Sequence, residues 1–217
     1  MRADQGEVGM QIDFLLEEPS AEAALEIILP KILSANIYFT CYSFEGKRDL
    51  LRKLPVRLKG YKPWIPDDWR IIVLIDRDQD DCLQLKATLE EVACDVDFGT
   101  KSSPTPAGNF QVVNRLAIEE LEAWFFGDVE ALRTAYPRVA RNLERQARYR
   151  DPDAIAGGTH EALRRVLDYY YPEWLPKTTV ARDIAQYMEP RRNSSRSFQV
   201  FIEGLKACVG ESGLRDQ

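Results

Sequence analysis

The hydrophobic positions in the first half of the chain form short runs, and amphipathic stretches separate them. The runs predict strands over residues 10–16, 37–42, 70–75 and 110–118. The intervening stretches predict helices over residues 21–33, 46–54, 81–92 and 119–126. This alternation is typical of an α/β fold with a mostly parallel sheet flanked by helices.

The strand pattern disappears after residue 127. Segments separated by prolines predict helices over residues 128–136, 139–149, 160–171, 178–188 and 197–209. We therefore predict an α/β core over residues 10–126 and a helical C-terminal part over residues 127–209. Ser20 is a plausible N-cap for the first helix. Residues 55–68 contain three prolines and a glycine, which favours a loop there.

Composition places the chain among ordinary globular proteins that work without a membrane. Its 217 residues are 45% hydrophobic and 29% charged. The first nine residues are polar and do not resemble a signal peptide, and no apolar run is long enough to span a bilayer. Four cysteines without paired spacing indicate reduced, mostly buried thiols. The expected location is the cytoplasm.

Two classes of site are excluded by what the sequence lacks. His160 is the only histidine, so one chain cannot build a two-histidine catalytic site or a mainly imidazole metal site. His160 itself is interpreted as a surface residue at the start of a helix. There is no Gly-x-x-x-x-Gly-Lys-Ser/Thr loop, so the chain is not a P-loop ATPase.

Acidic residues directly follow the most apolar predicted strand. The run from Ile71 to Ile75 leads into Asp76 and Asp78, which places both at the carboxyl end of a buried parallel strand. Carboxylates at alternate positions repel each other unless a cation lies between them. Mg²⁺, with a few carboxylate ligands and retained waters, would meet that need. For the acids that follow, at positions 80 and 81, a helix N-terminus is the preferred interpretation.

Three acidic clusters occupy comparable places, after the first strand, the third strand and the fourth strand: Glu17 with Glu18, Asp76 with Asp78, and Glu119 with Glu120 and Glu122. Carboxylates that converge from several strand ends can hold one or two Mg²⁺ ions for phosphodiester cleavage. On a helix, Glu119 and Glu122 share a face and Glu120 points away, so only one face can meet the site. Favourable charge at a helix N-terminus is the alternative explanation for these glutamates.

Basic residues are clustered although the net charge is −6. Residues 47–62 contain seven Lys and Arg side chains against the single acid Asp49. Such a run is consistent with a solvated face, with partners for the many acids, or with contacts to phosphates. The pattern alone does not choose among these interpretations.

The acidic motifs, a glutamate after the first strand and Asp-x-Asp after a later one, resemble the Toprim signature. In its details the chain is more similar to one Toprim-like bacterial family of unknown function, related to OLD-type nucleases and to the Toprim effector of the PARIS anti-phage system. The resemblance covers roughly residues 10–209. The matching blocks are Leu16-Glu17-Glu18-Pro19-Ser20, Gly46-Lys47-Arg48-Asp49-Leu50-Leu51, Asp76-Arg77-Asp78-Gln79-Asp80-Asp81-Cys82, Glu120-Leu121-Glu122-Ala123-Trp124 with Asp128, Lys177, and Ser195-Arg196-Ser197-Phe198.

The resemblance implies a Toprim core and a nuclease dependent on Mg²⁺ or Mn²⁺. The implied catalytic residues are Glu17, Asp76, Asp78 and Glu120, and Glu122 joins them as a metal ligand. Candidates for contact with nucleic acid are Lys47, Arg52, Arg57, Arg77 and Lys177. Many Toprim domains have glycine directly after the metal-binding glutamate, whereas this chain has Glu18 and Pro19.

The resemblance also implies partners. Similar proteins often accompany an ATPase of the ABC or AAA type, and the PARIS effector cleaves tRNA once its ATPase releases it. The expected substrate is therefore DNA or tRNA, the expected partner is such an ATPase, and a homodimer is an open alternative to a monomer.

A non-catalytic interpretation stays open beside the nuclease. The same scaffold could serve as a subunit that binds an ATPase or a nucleotide, because a fold does not determine function. A convergent acidic pocket favours the nuclease. Carboxylates paired with Lys or Arg, together with an exposed apolar patch on the helical part, favour the binding subunit. Small-molecule phosphoryl chemistry would require a closed pocket.

Overall fold

The computed structural model describes residues 9–170 and 175–215 and contains one four-stranded sheet. The strands are β1 (Met10–Leu16), β2 (Ile37–Ser43), β3 (Arg70–Asp76) and β4 (Val112–Ala117). Their order is β2-β1-β3-β4, and every neighbouring pair is parallel. The predicted fold class is confirmed, since the sheet is wholly parallel and helices flank it.

Helices cover both faces of this sheet. The described helices are α1 (Pro19–Ile32), α2 (Lys47–Tyr61), α3 (Cys82–Cys94), α4 (Glu122–Gly127), α5 (Val129–Ala135), α6 (Thr159–Leu167), α7 (Lys177–Ala185) and α8 (Arg196–Val209). On β1, Phe14 and Leu16 pack towards α1 and the C-terminal helices, whereas Leu15 packs towards α2 and α3. The central strand β3 is therefore apolar on both faces, as expected for a sheet between two helical layers. Strand β1 is apolar on both faces only in its carboxyl half, because Gln11 and Asp13 precede Phe14.

The C-terminal helices share a hydrophobic core with one face of the sheet. Trp124 on α4 packs against Phe198 and Phe201 on α8, with ring centroids 5.1 and 5.0 Å apart. Phe201 also lies 6.3 Å from the ring of Phe14 on β1. Within the described residues, the chain after Gly127 forms helices and turns with no strand, as the sequence predicted.

Helix α7 is tied to α1 at its carboxyl end. Lys31 donates hydrogen bonds to the carbonyl oxygens of Ala185, Gln186 and Met188, at 2.9, 2.7 and 2.9 Å. These carbonyls carry the partial negative charge of a helix C-terminus, which a lysine complements. The clamp fixes one end of α7, and the other end carries Lys177 to the carboxyl edge of the sheet.

The predicted loop over residues 55–68 is wrong in its first half, because α2 continues through Pro55 to Tyr61. Proline inside a helix costs about 3 kcal/mol. Burying one leucine side chain contributes about 1.5–3 kcal/mol, and α2 buries three in a stripe against the sheet: Leu50, Leu54 and Leu58. The free energy gained by burying these three leucines therefore exceeds the cost of Pro55 inside the helix.

Three other local predictions need correction. The helix predicted from residue 119 begins at Glu122, because Glu119 has a left-handed φ of 61°. Residues 139–149 form only short 3₁₀ turns. Pro19 occupies the first turn of α1, so Ser20 lies inside the helix and is not its N-cap. Residue 171, the predicted end of the sixth helix, lies outside the described residues.

The expectation of mostly buried thiols is also wrong. Cys208 is buried and Cys41 is half-buried, whereas Cys82 and Cys94 are exposed at the two ends of α3. In the parts of the chain that the structure describes, no helix combines the length and apolar character needed to cross a membrane.

We predict that Phe201→Ala lowers the free energy of unfolding by about 3–5 kcal/mol, because it leaves a cavity in the core that joins sheet and helices. Glu203→Ala on the exposed face of α8 is the matched control and should change stability by less than about 0.5 kcal/mol. Urea titration followed by tryptophan fluorescence measures both. A small effect of Phe201→Ala would show that α8 contributes little to the folded core.

Candidate functional site

The carboxyl ends of the parallel strands meet at one edge of the sheet, and backbone hydrogen bonds hold the loops that follow them together. Glu17 N–H donates to the carbonyl of Leu74 at 3.2 Å, which joins the end of β1 to β3. The N–H groups of Arg77 and Asp78 donate to the carbonyls of Ala117 and Glu119, at 2.8 and 2.7 Å. The three acidic loops are thereby neighbours, as the open-sheet rule predicts.

Glu17 and Asp76 form the buried centre of this edge. Oε2 of Glu17 accepts a hydrogen bond from the backbone N–H of Asp76 at 2.9 Å. Only 8% of Asp76 is exposed. Burial, reinforced by the charges of Glu122 and Glu17, raises the pKa of Asp76 well above its usual value. Burial also raises the pKa of Glu17, although the N–H of Asp76 and the charge of Lys47 oppose it.

Asp78 lies at the outer side of this centre and is paired with a lysine. Its φ of 51° is left-handed and turns the chain directly after β3. Nζ of Lys47, the first residue of α2, lies 2.6 Å from Oδ2 of Asp78 and 2.8 Å from Oδ2 of Asp80. Burial alone would lower the pKa of Lys47, but the hydrogen bonds to the two aspartates raise it. Lys47 thus supplies fixed positive charge at the site.

A second lysine enters from the C-terminal part. Nζ of Lys177, the first residue of α7, lies 3.3 Å from both carboxylate oxygens of Glu18 and 4.0 Å from Oε1 of Glu122. Burial lowers the pKa of Lys177, and the charges of Glu122, Glu18 and Asp76 outweigh that effect and raise it. The acids are therefore flanked by two charged lysines from different layers of the fold.

Glu122 is the most buried of the three glutamates that follow β4. Its side chain is 4% exposed, and Oε1 lies 3.1 Å from Nδ1 of His160. Oε2 is buried and finds no hydrogen-bond partner among the described residues. A buried carboxylate oxygen without a donor is costly unless a cation or water satisfies it. The charge of Glu122 also contributes to the raised pKa of Asp76, so Glu122 belongs to the same cluster.

Glu119 and Glu120 face elsewhere. Glu119 pairs with Arg77. Oε2 of Glu120 accepts hydrogen bonds from the N–H of His160 at 2.7 Å and from Oγ1 of Thr159 at 3.1 Å, and so satisfies donors in the first turn of α6. Of the three glutamates, Glu122 is the one whose carboxylate joins the Asp76 cluster. The expected face-sharing of Glu119 with Glu122 fails because neither Glu119 nor Glu120 is helical.

The five predicted phosphate-binding residues separate into two groups. Lys47 and Lys177 contact the acidic cluster, and Arg77 lies beside it in its pair with Glu119. Arg52 and Arg57 lie further along α2, on the wall of a groove beside the edge strand β2. The structure thus places three of these cations at the carboxylates and two along an adjoining surface.

Comparison with known proteins adds one result to this geometry. A family model matches residues 16–206, a segment that contains every acid and lysine of the cluster. The chain belongs to the DUF4276 family. That family is described as a domain of unknown function. No curated protein and no solved structure matches the chain significantly.

The acidic cluster of this DUF4276 protein has the chemistry to hold a hard divalent cation. Asp76, Glu17 and Glu122 are all carboxylates, which Mg²⁺ prefers, and the unpartnered Oε2 of Glu122 would gain a partner. Among the described residues, however, no three His, Cys, Asp or Glu side chains already surround a common point.

Sequence patterns missed two members of the site. Glu18 was noted beside Glu17 but not assigned a role, and it proves to be the partner of Lys177. His160 was interpreted as a surface residue, whereas it is 18% exposed and contacts Glu122. The signal for His160 was present in Gly157-Gly158, two residues with left-handed φ of 85° that bring the start of α6 close to the glutamates.

We predict that the contribution of Asp76 to the stability of the metal-free protein falls as pH rises above about 4. The unfolded state releases the Asp76 proton near pH 3.9, whereas the folded state retains it to higher pH. Stability therefore falls with pH between the two pKa values, by about 1.4 kcal/mol for each unit that separates them. Asp76→Asn should flatten this slope. Urea titrations in EDTA at several pH values measure it, and equal slopes for both proteins would contradict the prediction.

Mg²⁺ should restore the stability that the wild-type protein loses. At 100 times its dissociation constant, a ligand that binds only the folded state adds about 2.7 kcal/mol. For a chain of this length that corresponds to a rise in melting temperature of roughly 5–10 °C. Differential scanning fluorimetry with and without Mg²⁺ measures the rise, and Asp76→Asn should lose most of it. If neither Mg²⁺ nor Mn²⁺ changes the melting temperature of the wild-type protein, the prediction of a metal site here is wrong.

Proposed function

We propose that this protein is a metal-dependent nuclease of the Toprim type that cleaves a phosphodiester bond in DNA or RNA. The observation that carries the proposal is the buried Asp76 carboxylate, which has Glu17 and Glu122 beside it at the carboxyl edge of a parallel sheet. Acids held at raised pKa by burial and by one another are characteristic of functional sites. The sequence resemblance to Toprim proteins supports the same function.

The residues suited to hold Mg²⁺ or Mn²⁺ are Glu17, Asp76, Asp78 and Glu122. The bound ion would supply Lewis acidity and lower the pKa of a coordinated water. Glu120 is the weakest of the predicted ligands, because Oε2 already satisfies the start of α6. Lys47 and Lys177 hold positive charge beside the acids, and that charge would attract a substrate phosphate and stabilise charge that develops on it.

Glu17 is the group best placed to move a proton. Its Oε2 accepts a hydrogen bond from the N–H of Asp76, and burial raises its pKa above the usual value of a glutamate. A base works best when its pKa lies near the operating pH. We therefore assign Glu17 the role of general base in addition to metal ligand.

The setting of this activity is proposed from the resemblance. An ATPase of the ABC or AAA type would control the nuclease, in an anti-phage defence system, and tRNA or DNA would be cut. Free thiols at all four cysteines support a reducing, cytoplasmic location. The protein would act as a monomer or as a homodimer.

A specific observation also favours the alternative, a non-catalytic subunit. Several acids are already paired, Asp78 with Lys47 and Glu18 with Lys177. On the helical part, Tyr169 and Tyr187 are 69% and 47% exposed, which suits contact with a partner such as an ATPase. In this alternative the lysines neutralise the acids in place of a metal ion, and the acidic edge only stabilises the fold.

We predict that Asp76→Asn lowers cleavage by at least about 100-fold, because even groups that only support a metal ligand commonly contribute 10- to 100-fold. Asp95→Asn, an exposed aspartate after α3 at the other end of the sheet, is the matched control and should cut normally. The assay incubates each protein, alone and with any neighbouring ATPase, with DNA and total tRNA in Mg²⁺ or Mn²⁺. Gel electrophoresis detects the products.

Two outcomes would contradict the nuclease proposal. One is the absence of cleavage in every combination of substrate, metal and ATPase. The other is an Asp76→Asn protein that cuts as well as wild type, which would indicate a contaminating nuclease. In either case, stable binding to the ATPase would favour the non-catalytic subunit.

A further inference from the structure

A groove of about 890 Å³ runs along the edge of the sheet beside the acidic cluster. The edge strand β2 is only partly covered by α2, so side chains on that face of β1 and β2 form an open floor. Asp13 and Thr40 lie in this floor, α2 forms one wall, and Trp64 and Trp69 close the far end. No residue of this groove belongs to the acidic cluster, so the groove needs its own explanation.

Aromatic rings are presented at the surface of the groove and held in place. Trp64 is 56% exposed, and its ring packs against Tyr61 and Trp69 with centroids 5.4 and 5.6 Å away. Tyr42, on the floor, is 36% exposed. An exposed ring supported by neighbouring rings offers a stacking surface at low entropic cost. Nucleic-acid bases bind such surfaces without regard to sequence.

Basic side chains line the wall formed by α2. The guanidinium carbon of Arg57 lies 4.2 Å from the ring centre of Tyr42 and 5.4 Å from that of Tyr61. Arg52 and Lys53 are 73% and 50% exposed and share Asp49 as a partner. A guanidinium has five N–H donors and an ammonium three, so each retains donors for a phosphate. Arginine beside aromatic rings is typical of surfaces that bind single strands.

The floor supplies fixed hydrogen-bonding groups. Gln11 Nε2 donates to Oδ1 of Asp13 at 2.8 Å and to Oγ1 of Thr40 at 3.0 Å. The hydroxyl of Tyr61 donates to Oδ2 of Asp13 at 2.7 Å. The half-buried amide of Gln11 and the exposed hydroxyl of Thr40 can hydrogen-bond to the edge of an unpaired base. An apolar peptide strand added to β2 would match neither these groups nor the cationic wall.

The groove extends to the carboxyl end of β2, beside the acidic edge of the sheet. Phe44 lines it, and the N–H of Phe44 donates to the carbonyl of Leu16, the residue before Glu17, at 2.9 Å. Lys47, the lysine that binds Asp78, follows three residues later. A chain lying in the groove would thus be directed towards Asp76.

We propose that this groove binds single-stranded nucleic acid, with unpaired bases stacked on Trp64 and Tyr42 and phosphates on Arg52 and Arg57. The substrate class of the nuclease is then an unpaired strand, such as a loop or an end, and this role in cleavage rests on the proposed function. Binding itself is independent of cleavage and is measured separately.

The test measures fluorescence anisotropy of a labelled 12-nucleotide single strand, and of the matching duplex, with full-length protein in EDTA. Wild type should bind the single strand more tightly than the duplex. Trp64→Ala should weaken binding about 5- to 150-fold, the range seen for loss of one stacked base. Tyr187→Ala, which removes an exposed ring elsewhere, is the matched control and should bind as wild type does.

Two further variants test the phosphate contacts and the open volume of the groove separately. Arg52→Ala with Arg57→Ala should weaken binding and reduce its dependence on salt. Arg196→Ala with Lys206→Ala removes equal charge from exposed positions of α8 and should not. Gly60→Leu should block binding without strain, because Gly60 lines the groove within α2 and a Cβ there meets no atom within 4 Å.

The outcomes are distinct. If wild type does not bind the single strand, binds the duplex equally well, or is unaffected by both Trp64→Ala and Gly60→Leu, the inference is overturned. A dimer that Gly60→Leu converts to a monomer in light scattering would make the groove an interface between copies, and would also overturn it. Groove-dependent binding without cleavage supports this inference and overturns the nuclease. Cleavage without groove-dependent binding supports the nuclease and overturns this inference.

Discussion

Burial of the carboxyl halves of β1 and β3 on both faces is the constraint on which the rest of this structure depends. Two helical layers exclude water from these halves of the strands, so the polar side chains that follow them at the carboxyl ends lie in a poorly solvated position. Asp76 is the last residue of β3 and Glu17 directly follows β1. The packing that stabilises the sheet is therefore also what raises the pKa of both acids.

Charge balance at the edge then requires contributions from distant parts of the chain. Lys47 comes from the helix after β2, and Lys177 comes from the C-terminal helices. Taking a charge out of water is costly unless a partner compensates it, so each lysine stabilises acids that it does not neighbour in sequence. The helical part is consequently a component of the site as well as a cover for the sheet.

Sequence patterns were sufficient for the strands but not for the charge partners. Apolar runs located all four strands to within about two residues, and strand ends located Glu17, Asp76 and Asp78. The rule that proline ends a helix failed at Pro55, because burial of the leucines of α2 keeps the chain helical there. Sequence patterns also failed at the glutamates after β4, because a left-handed turn at Glu119 decides which carboxylate faces Asp76. Pairing of Lys177 with Glu18 spans 159 positions, and no periodicity reports such a contact.

The hydrogen bonds of Lys31 fix the carboxyl end of α7, and Lys177 lies at the opposite end of the same helix. At 1.5 Å per residue, its nine residues place Lys177 about 13 Å from the clamped end. A tilt of about 10° about that pivot would carry Lys177 roughly 2 Å sideways, by the same helix dimensions. That displacement exceeds what the 3.3 Å contact with Glu18 tolerates. The packing of α7 against α1 therefore holds the positive charge of Lys177 at the acidic edge.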